Sequence, residues 1–307
     1  ATMTKIIIMV LTTTTTDIRM TEQRDKRCDE CLRRSWAATL DRNAISNAEQ
    51  ELFIQSMGVA LRDEGRQNAP ELQRQLSMLY GKITSDDDPF RLQKQLSNSV
   101  AAQLAKEWQS KVNTDNDPFK LSLRLALAAN IIDYGAASQF DLQQTIERVL
   151  NSPLAIDQTG LLREKIQSAK SILYLGDNAG EIFFDKLFLE VIAHPNVTFV
   201  VRGGPALNDA TLEDALLADI QGIAKTITNG FNAPSTIPEK GHAAFRHAFD
   251  EADLIISKGM GNLEGLMHRQ DNRIFFLLMA KCEVIADYLS VSKGSFVVAE
   301  NTYIATR

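Results

Sequence analysis

The sequence predicts a chain of two parts, an all-α helical domain followed by a three-layer α/β/α domain with a mainly parallel sheet. Two observations carry this. In the first half, apolar residues recur at helical spacing with few β-branched runs. In the second half, short and almost wholly apolar segments alternate with helical ones, the pattern of parallel strands covered on both faces. A length of 307 residues is long for one core and suits the division.

Residues 1–20 read as an extended tail, in which an apolar run from Ile6 to Leu11 is followed by five threonines. That run is shorter than a secretory apolar region and has no small-residue cleavage site after it, so a cytoplasmic protein is expected. The helical domain is drawn at 21–152, with helices at Glu22 to Leu40, Asn47 to Glu64, Pro70 to Lys82, Pro89 to Trp108 and Pro118 to Tyr134. Two of these open on one tripeptide, Asp88-Pro89-Phe90 and Asp117-Pro118-Phe119. Asp is a good N-cap and Pro suits the first helical turn, so the acidic clusters there are read as caps before metal ligands. The turn-rich Asn151-Ser152-Pro153 marks the boundary, and the α/β domain is drawn at 153–307. Its strands are placed at Ser171 to Leu175, Val197 to Val201, Ala224 to Thr228, Leu254 to Ser257, Ile274 to Met279 and Phe296 to Ala299.

Composition excludes several classes. A net charge of −6 lacks the broad positive field that nucleic acid binding needs. No apolar stretch approaches the roughly 18 residues of a membrane span. Three cysteines, Cys28, Cys31 and Cys282, are too few and odd in number for a disulfide framework and fit a reducing compartment. Nothing in the sequence bears on oligomeric state.

In open parallel sheets, ligands bind at the carboxyl ends of the strands. After the first predicted strand comes Gly176-Asp177-Asn178-Ala179-Gly180-Glu181, where Asp177 and Asn178 offer adjacent hard oxygen ligands or a helix cap. After the second comes Arg202-Gly203-Gly204-Pro205 with Asn208 and Asp209; Arg202 is a phosphate clamp or a salt-bridge partner. Adjacent strands would bring both acidic loops to one edge, where carboxylates repel unless a cation lies between them. After the fourth comes Lys258-Gly259-Met260-Gly261-Asn262-Leu263-Glu264-Gly265, a glycine-rich turn able to cradle an anion. Its spacing is a poor dinucleotide fingerprint. Lys281, after the fifth, suits a phosphoryl oxygen or is an ordinary surface lysine. The four histidines lack zinc-helix spacing, and there is no P-loop or nucleophile elbow.

With these motifs quoted, the sequence resembles the damage-control phosphatases first catalogued as domain of unknown function 89. The matching stretches also include Asp117-Pro118-Phe119-Lys120, Asn130-Ile131-Ile132-Asp133-Tyr134-Gly135, Asn208-Asp209-Ala210-Thr211 and Lys281-Cys282. They run from about Cys28 to the end of the chain. The resemblance implies a helical domain packed on a Rossmann-like domain, and one divalent cation (Mn2+, Co2+, Ni2+ or Mg2+) held by Asp177, Asn178 and Asp209. It implies a phosphorylated small metabolite as substrate, such as a sugar phosphate. It also implies Glu264 and Lys281 at the reaction centre. The Cys28-Asp29-Glu30-Cys31 pair matches a C-x-x-C of stand-alone prokaryotic members, in more charged surroundings than usual. Ser235 stands where glycine is common.

Two cysteines cannot fill a zinc site alone, so a structural role or a domain contact is expected of the pair. The reading is phosphomonoester hydrolysis. Asp177, Glu264 and Lys281 are the catalytic candidates, and Gly180, Glu181, Arg202, Asn208, Lys258, Gly261 and Asn262 the substrate-binding ones. Two rivals stay open: an S-adenosylmethionine-dependent carboxyl methyltransferase, and a non-catalytic sugar-phosphate binding protein.

Overall fold

Each of the first three helices begins at a residue whose side chain satisfies a free N–H. The structure is a computed structural model that describes residues 24–62, 68–130 and 139–306. The expected tail, the end of the second predicted helix and the Ile131–Gly135 stretch lie outside these residues. Helix α1 (Lys26–Arg42) is capped by Asp25, α2 (Asn47–Leu61) by a Ser46–Glu49 capping box, and α3 (Ala69–Thr84) by Asn68 with Pro70 in its first turn. Then come α4 (Arg91–Thr114), α5 (Pro118–Ala129) and α6 (Gln139–Asn151).

The two Asp-Pro-Phe tripeptides differ. Asp117 caps α5, accepting from the Lys120 N–H at 3.2 Å. Asp88 does not cap α4, which starts at Phe90 without a side-chain cap. Its carboxylate instead lies 2.9 Å from Lys94 Nζ, and both residues are buried. A buried carboxylate gains more from a cation than from a peptide N–H, which corrects the capping expectation.

The α/β part follows as β1 (Leu154–Asp157), α7 (Thr159–Ser168), β2 (Ile172–Leu175), α8 (Glu181–Ile192), β3 (Val197–Val201), α9 (Leu212–Leu217), β4 (Lys225–Thr228), α10 (Ala243–Glu251), β5 (Leu254–Lys258), α11 (Gly259–Leu266), β6 (Ile274–Met279), α12 (Glu283–Leu289), β7 (Phe296–Glu300) and α13 (Asn301–Ala305). The seven strands form one sheet in the order β1-β7-β6-β5-β2-β3-β4. All neighbours are parallel except β6 and β7. From β2 the chain winds outward through β3 and β4, then returns to place β5 on the other side of β2. The β2/β5 junction is therefore the topological switch point.

Side chains alternate along the strands into two cores. Tyr174, Phe199, Val201, Ile256, Phe275 and Leu277 face one side, packed on α8 and also on α4, α5 and α6. Leu173, Val200, Ile255, Phe276 and Leu278 face the other, packed on α10, α11 and α12. The first core runs across the boundary near residue 152. Among the described residues, α1, α2 and α3 share a separate cluster, centred on Trp36, Phe53 and Tyr80. The Trp36 and Phe53 ring centroids there are 4.7 Å apart.

Candidate active site

Two loops at the carboxyl edge are latched together. β2 and β3 are parallel neighbours. Beyond their ends, the Ala179 N–H donates to the Asn208 carbonyl at 2.9 Å and the Ala210 N–H to the Asp177 carbonyl at 2.8 Å. This makes an antiparallel bridge between Asn178 and Asp209. Asp209 thus lies beside the Asp177–Asn178 pair, as the sequence reading required.

The hydrogen bonds sort the oxygens. Asp177 Oδ2 accepts from Asn130 Nδ2 and Asn178 Nδ2, both at 2.9 Å. Glu181 Oε2 accepts from the same two amides, at 2.9 and 3.1 Å. Asp209 Oδ2 accepts from Arg202 Nε at 2.5 Å. Among the described residues, Asn178 Oδ1 and Asp209 Oδ1 accept nothing, and Asp177 Oδ1 has only Arg202 Nη2 at 3.5 Å. Two carboxylate oxygens and one amide oxygen are left over, a hard donor set suited to a divalent cation. Among the described residues no group of three His, Cys, Asp or Glu side chains is placed to hold a metal ion.

Burial sets the electrostatics. The Asp177 carboxyl is pushed up to about 8, first by burial and then by Asp209 and Glu181, with Arg202 and Lys281 pulling the other way. Asp209 is also raised by burial, against Arg202. Two enclosed acids that resist ionisation lack positive charge, which a cation would supply. The backbone makes room for them. Gly259 opens α11 at φ +76°, and a Cβ there would overlap the Asp177 carboxylate. Gly180, at φ +79°, lies against Ser97 of α4, and its N–H donates to Asn98 Oδ1 at 2.8 Å. Asn98 in turn donates to Asp214 at 2.7 Å.

Several candidates stand elsewhere than expected. Arg202, read as a phosphate clamp, is 2% exposed and spends its guanidinium on Asp209, Asp177, Thr236 Oγ1 (3.1 Å) and Asn262 Oδ1 (2.8 Å). Asn262 is enclosed too, donating to the Gly176 and Lys258 carbonyls. Lys258 is fully buried, with its ammonium on Glu181 Oε1 at 2.6 Å, on the Ala126 carbonyl at 3.1 Å and on Asp185 Oδ1. Burial is the largest influence on the Glu181 carboxyl and would raise it, but the Lys258 charge, the hydrogen bonds from Lys258 and Asn130 and the Lys281 charge together make the net shift downward. These four groups, and the Gly180 N–H, are engaged with protein partners. Gly261 lies in the first turn of α11, where a Cβ would overlap the Pro234 carbonyl, and a Cβ at Gly265 would overlap the buried Ser235 hydroxyl. Asn208 serves the latch through its carbonyl and is half-buried.

Lys281 and Glu264 are the two remaining catalytic candidates. Lys281 is half-buried and its charge acts on Asp177, Glu181 and Asp209. Burial pushes the Glu264 carboxyl up to about 7. Glu264 lies near Cys28 and Cys282, since its charge helps raise both thiols. Cys28 is pushed up to about 12, by burial first, so it is no ready thiolate. The Arg27–Asp287 ion pair, 2.6 Å, fixes α1 against α12 there, and the C-x-x-C stands at this contact with all its thiols free.

The sequence reading missed Asn98, Asp185, Asp214 and Thr236. Their only signal was polarity at helix or loop positions, which solvation explains equally well. An open cavity of about 630 Å3 bordered by Asp117, Phe119, Arg163 and Val191 lies near the far end of α8 and has no part in the site.

A Rossmann-like α/β protein with two acidic loops latched at the switch point is the class that fold and geometry define. The chain belongs to the family described as the damage-control phosphatase ARMT1-like domain, whose model matches residues 24–297. It is 37% identical over 270 residues to an uncharacterized protein of Methanocaldococcus jannaschii, covering 83% of this chain and 89% of that protein. It is 37% identical over 226 residues to a damage-control phosphatase of Pyrococcus horikoshii, covering 72% and 78%. A crystal structure of a domain of unknown function 89 family protein from Pyrococcus horikoshii superposes with a TM-score of 0.83 at 30% identity. That match covers 91% of this chain and 99% of the other.

Proposed function

We propose that this chain hydrolyses phosphate monoesters of small metabolites, sugar phosphates or damaged phosphometabolites among them, with one divalent cation held by Asp177, Asn178 and Asp209. The observation that carries this reading is a trio of side-chain oxygens at the switch point, of which Asn178 Oδ1 and Asp209 Oδ1 have no donor among the described residues and Asp177 Oδ1 has only Arg202 Nη2 at 3.5 Å. The relatives named damage-control phosphatase support it. A bound Mn2+, Co2+, Ni2+ or Mg2+ would supply charge against the phosphoryl oxygens and acidify a water.

The chain's own groups do the rest. Lys281 brings positive charge to an edge crowded with carboxylates and would balance charge growing on the transferring group. Glu264, with a carboxyl poised near neutrality, is suited to take the proton of the attacking water. Arg202 keeps Asp209 and Asp177 in register without touching substrate.

The test is a screen over sugar phosphates and phosphorylated cofactors with each of the four metals, beside an Asp209→Ala control. Release of phosphate that needs metal and is abolished in the control is expected. Methyl transfer from S-adenosylmethionine with no phosphate release would overturn the proposal, as would metal-dependent binding without turnover.

A further inference from the structure

We propose that Arg74 is a substrate-recognition residue that takes a second anionic group, a carboxylate or a second phosphate, on the ester. The inference rests on the phosphatase reading above and names the class of ester within it.

Arg74 lies on α3 and is half-buried. Its guanidinium stacks on the Phe231 ring, 4.8 Å from the centroid, and its Nε donates to Asn232 Oδ1 at 2.6 Å. Both partners belong to the loop after β4, and that loop is fastened to the one after β3. The Gly203 N–H is shared between the Phe231 carbonyl at 3.1 Å and Asn229 Oδ1 at 2.9 Å. A Cβ on Gly203 would overlap the Gly230 and Phe231 backbone, and one on Gly204 would lie 3.6 Å from Asn232 Cβ. Gly204 is two residues from Arg202, at most about 7 Å along the chain, and Arg202 holds Asp209 and Asp177. α3 also packs on α11, the helix of Glu264. Arg74 therefore stands at the carboxyl edge of the sheet, on the side of β3 and β4.

An arginine has five N–H donors in a planar fork matched to a carboxylate or a phosphate. The stack and the Nε bond fix the plane of this one, while among the described residues its Nη hydrogens have no partner. The acid placed to take them is engaged elsewhere: Glu71, one helical turn earlier on α3, lies 3.7 Å from Lys240. A plain clamp between α3 and the loop needs only the Nε bond and the stack. The forked edge is the part left over, and a fork already held in plane loses little freedom on taking an oxyanion. Asn232 stands between the guanidinium and Gly204. Arg74 thus meets the far end of the ester, not the phosphoryl group at the acidic loops.

The test compares matched esters with the full chain in Mn2+. Phosphogluconate against glucose phosphate, each esterified at the terminal carbon, reads a carboxylate. Fructose bisphosphate against the terminal monophosphate of fructose reads a second phosphate. The readout is the preference, the ratio of kcat/KM within each pair. Wild type is expected to prefer the member with the second anionic group in at least one pair, and the pair with the larger preference identifies the oxyanion. Arg74→Met should lower that preference on the order of 10- to 100-fold, mainly through KM, as loss of hydrogen bonds to a charged group does. Arg74→Lys keeps the charge without the fork and should restore only part of it; this variant carries the test if Arg74→Met does not fold. A clamp role would lower both members alike and leave the ratio as it was. An unchanged ratio in a folded variant, or a wild type that prefers neither ester with a second anion, overturns the proposal. If no ester of either kind is cleaved with any of the four metals, the phosphatase reading falls by itself. Calorimetric binding of the same pairs then decides Arg74: a gain from the second anion that Arg74→Met removes upholds it, and no gain, or one that survives the substitution, overturns it.

Discussion

Replacing Arg202 with methionine removes the one guanidinium that touches both site carboxylates. Arg202 Nε is 2.5 Å from Asp209 and Nη2 is 3.5 Å from Asp177, with 2% of the residue exposed. Methionine fills much of the same volume but leaves two enclosed acids without a counter-charge. Breaking a buried pair from one side costs about 3–5 kcal/mol. At roughly 2–4 °C per kcal/mol for a chain of this size, the unfolding midpoint in chelator should fall on the order of 10 °C. The deficit has a pH signature. Asp177 is already pushed up to about 8 by burial and its acidic neighbours, with Arg202 opposing. An acid whose folded pKa is raised binds its proton more tightly when folded. Stability is therefore present below the unfolded value and lost as pH rises toward the folded one. Without Arg202 the folded value climbs further, so the gap between variant and wild type should be widest above pH of about 8 and close as pH falls. Saturating Mn2+ should restore more to Arg202→Met than to wild type, because the ion replaces the missing charge. Thermal unfolding in chelator and in Mn2+, at a series of pH values, reads all three effects. A variant that melts with wild type at pH 8, or gains no more from Mn2+, would refute the reasoning.

Glu264→Gln should lower kcat/KM by about 10²–10⁴ and flatten an activity limb that rises with pH through about 7, since a base works only when deprotonated; a retained limb would assign it to another group. Gly259→Ala should be folded yet weak in Mn2+, because φ is +76° there and the added methyl overlaps the Asp177 carboxylate; about 1–2 kcal/mol of backbone strain adds to the loss, as a melt and a Mn2+ titration would show. The two Asp-Pro-Phe motifs should respond unequally in urea unfolding. Asp117→Ala loses a cap worth about 1 kcal/mol, whereas Asp88→Ala strands the buried Lys94 and should cost about 3–5 kcal/mol.

The strands were legible because β2, β3, β5 and β6 are short and mostly apolar runs, and no helix period fits them at that length. β1 was not, since Leu154-Ala155-Ile156-Asp157 buries only Ile156 and reads as linker. The acidic loops were legible because their oxygen-bearing side chains follow strands, Asp177 and Asn178 being adjacent in sequence. The surroundings of Arg202 and Lys258 were not legible, for the opposite reason. Sequence shows a charge but not its surroundings, and their partners Asn262 and Asp185 lie 60 and 73 positions away. Asn98 joins Gly180 across 82 positions, a contact that only packing of α4 on the sheet creates.

That packing decides how the molecule can be taken apart. Secondary structure changes character near residue 152, yet a cut there would bare the Tyr174, Phe199 and Phe275 face and strip Gly180 and Asp177 of the asparagines that hold them. The divisible piece is smaller: α1, α2 and α3, with a nucleus of their own. Exchanging only that piece between relatives leaves the latched acidic loops at the switch point whole, so any change in behaviour could be credited to the transplanted helices.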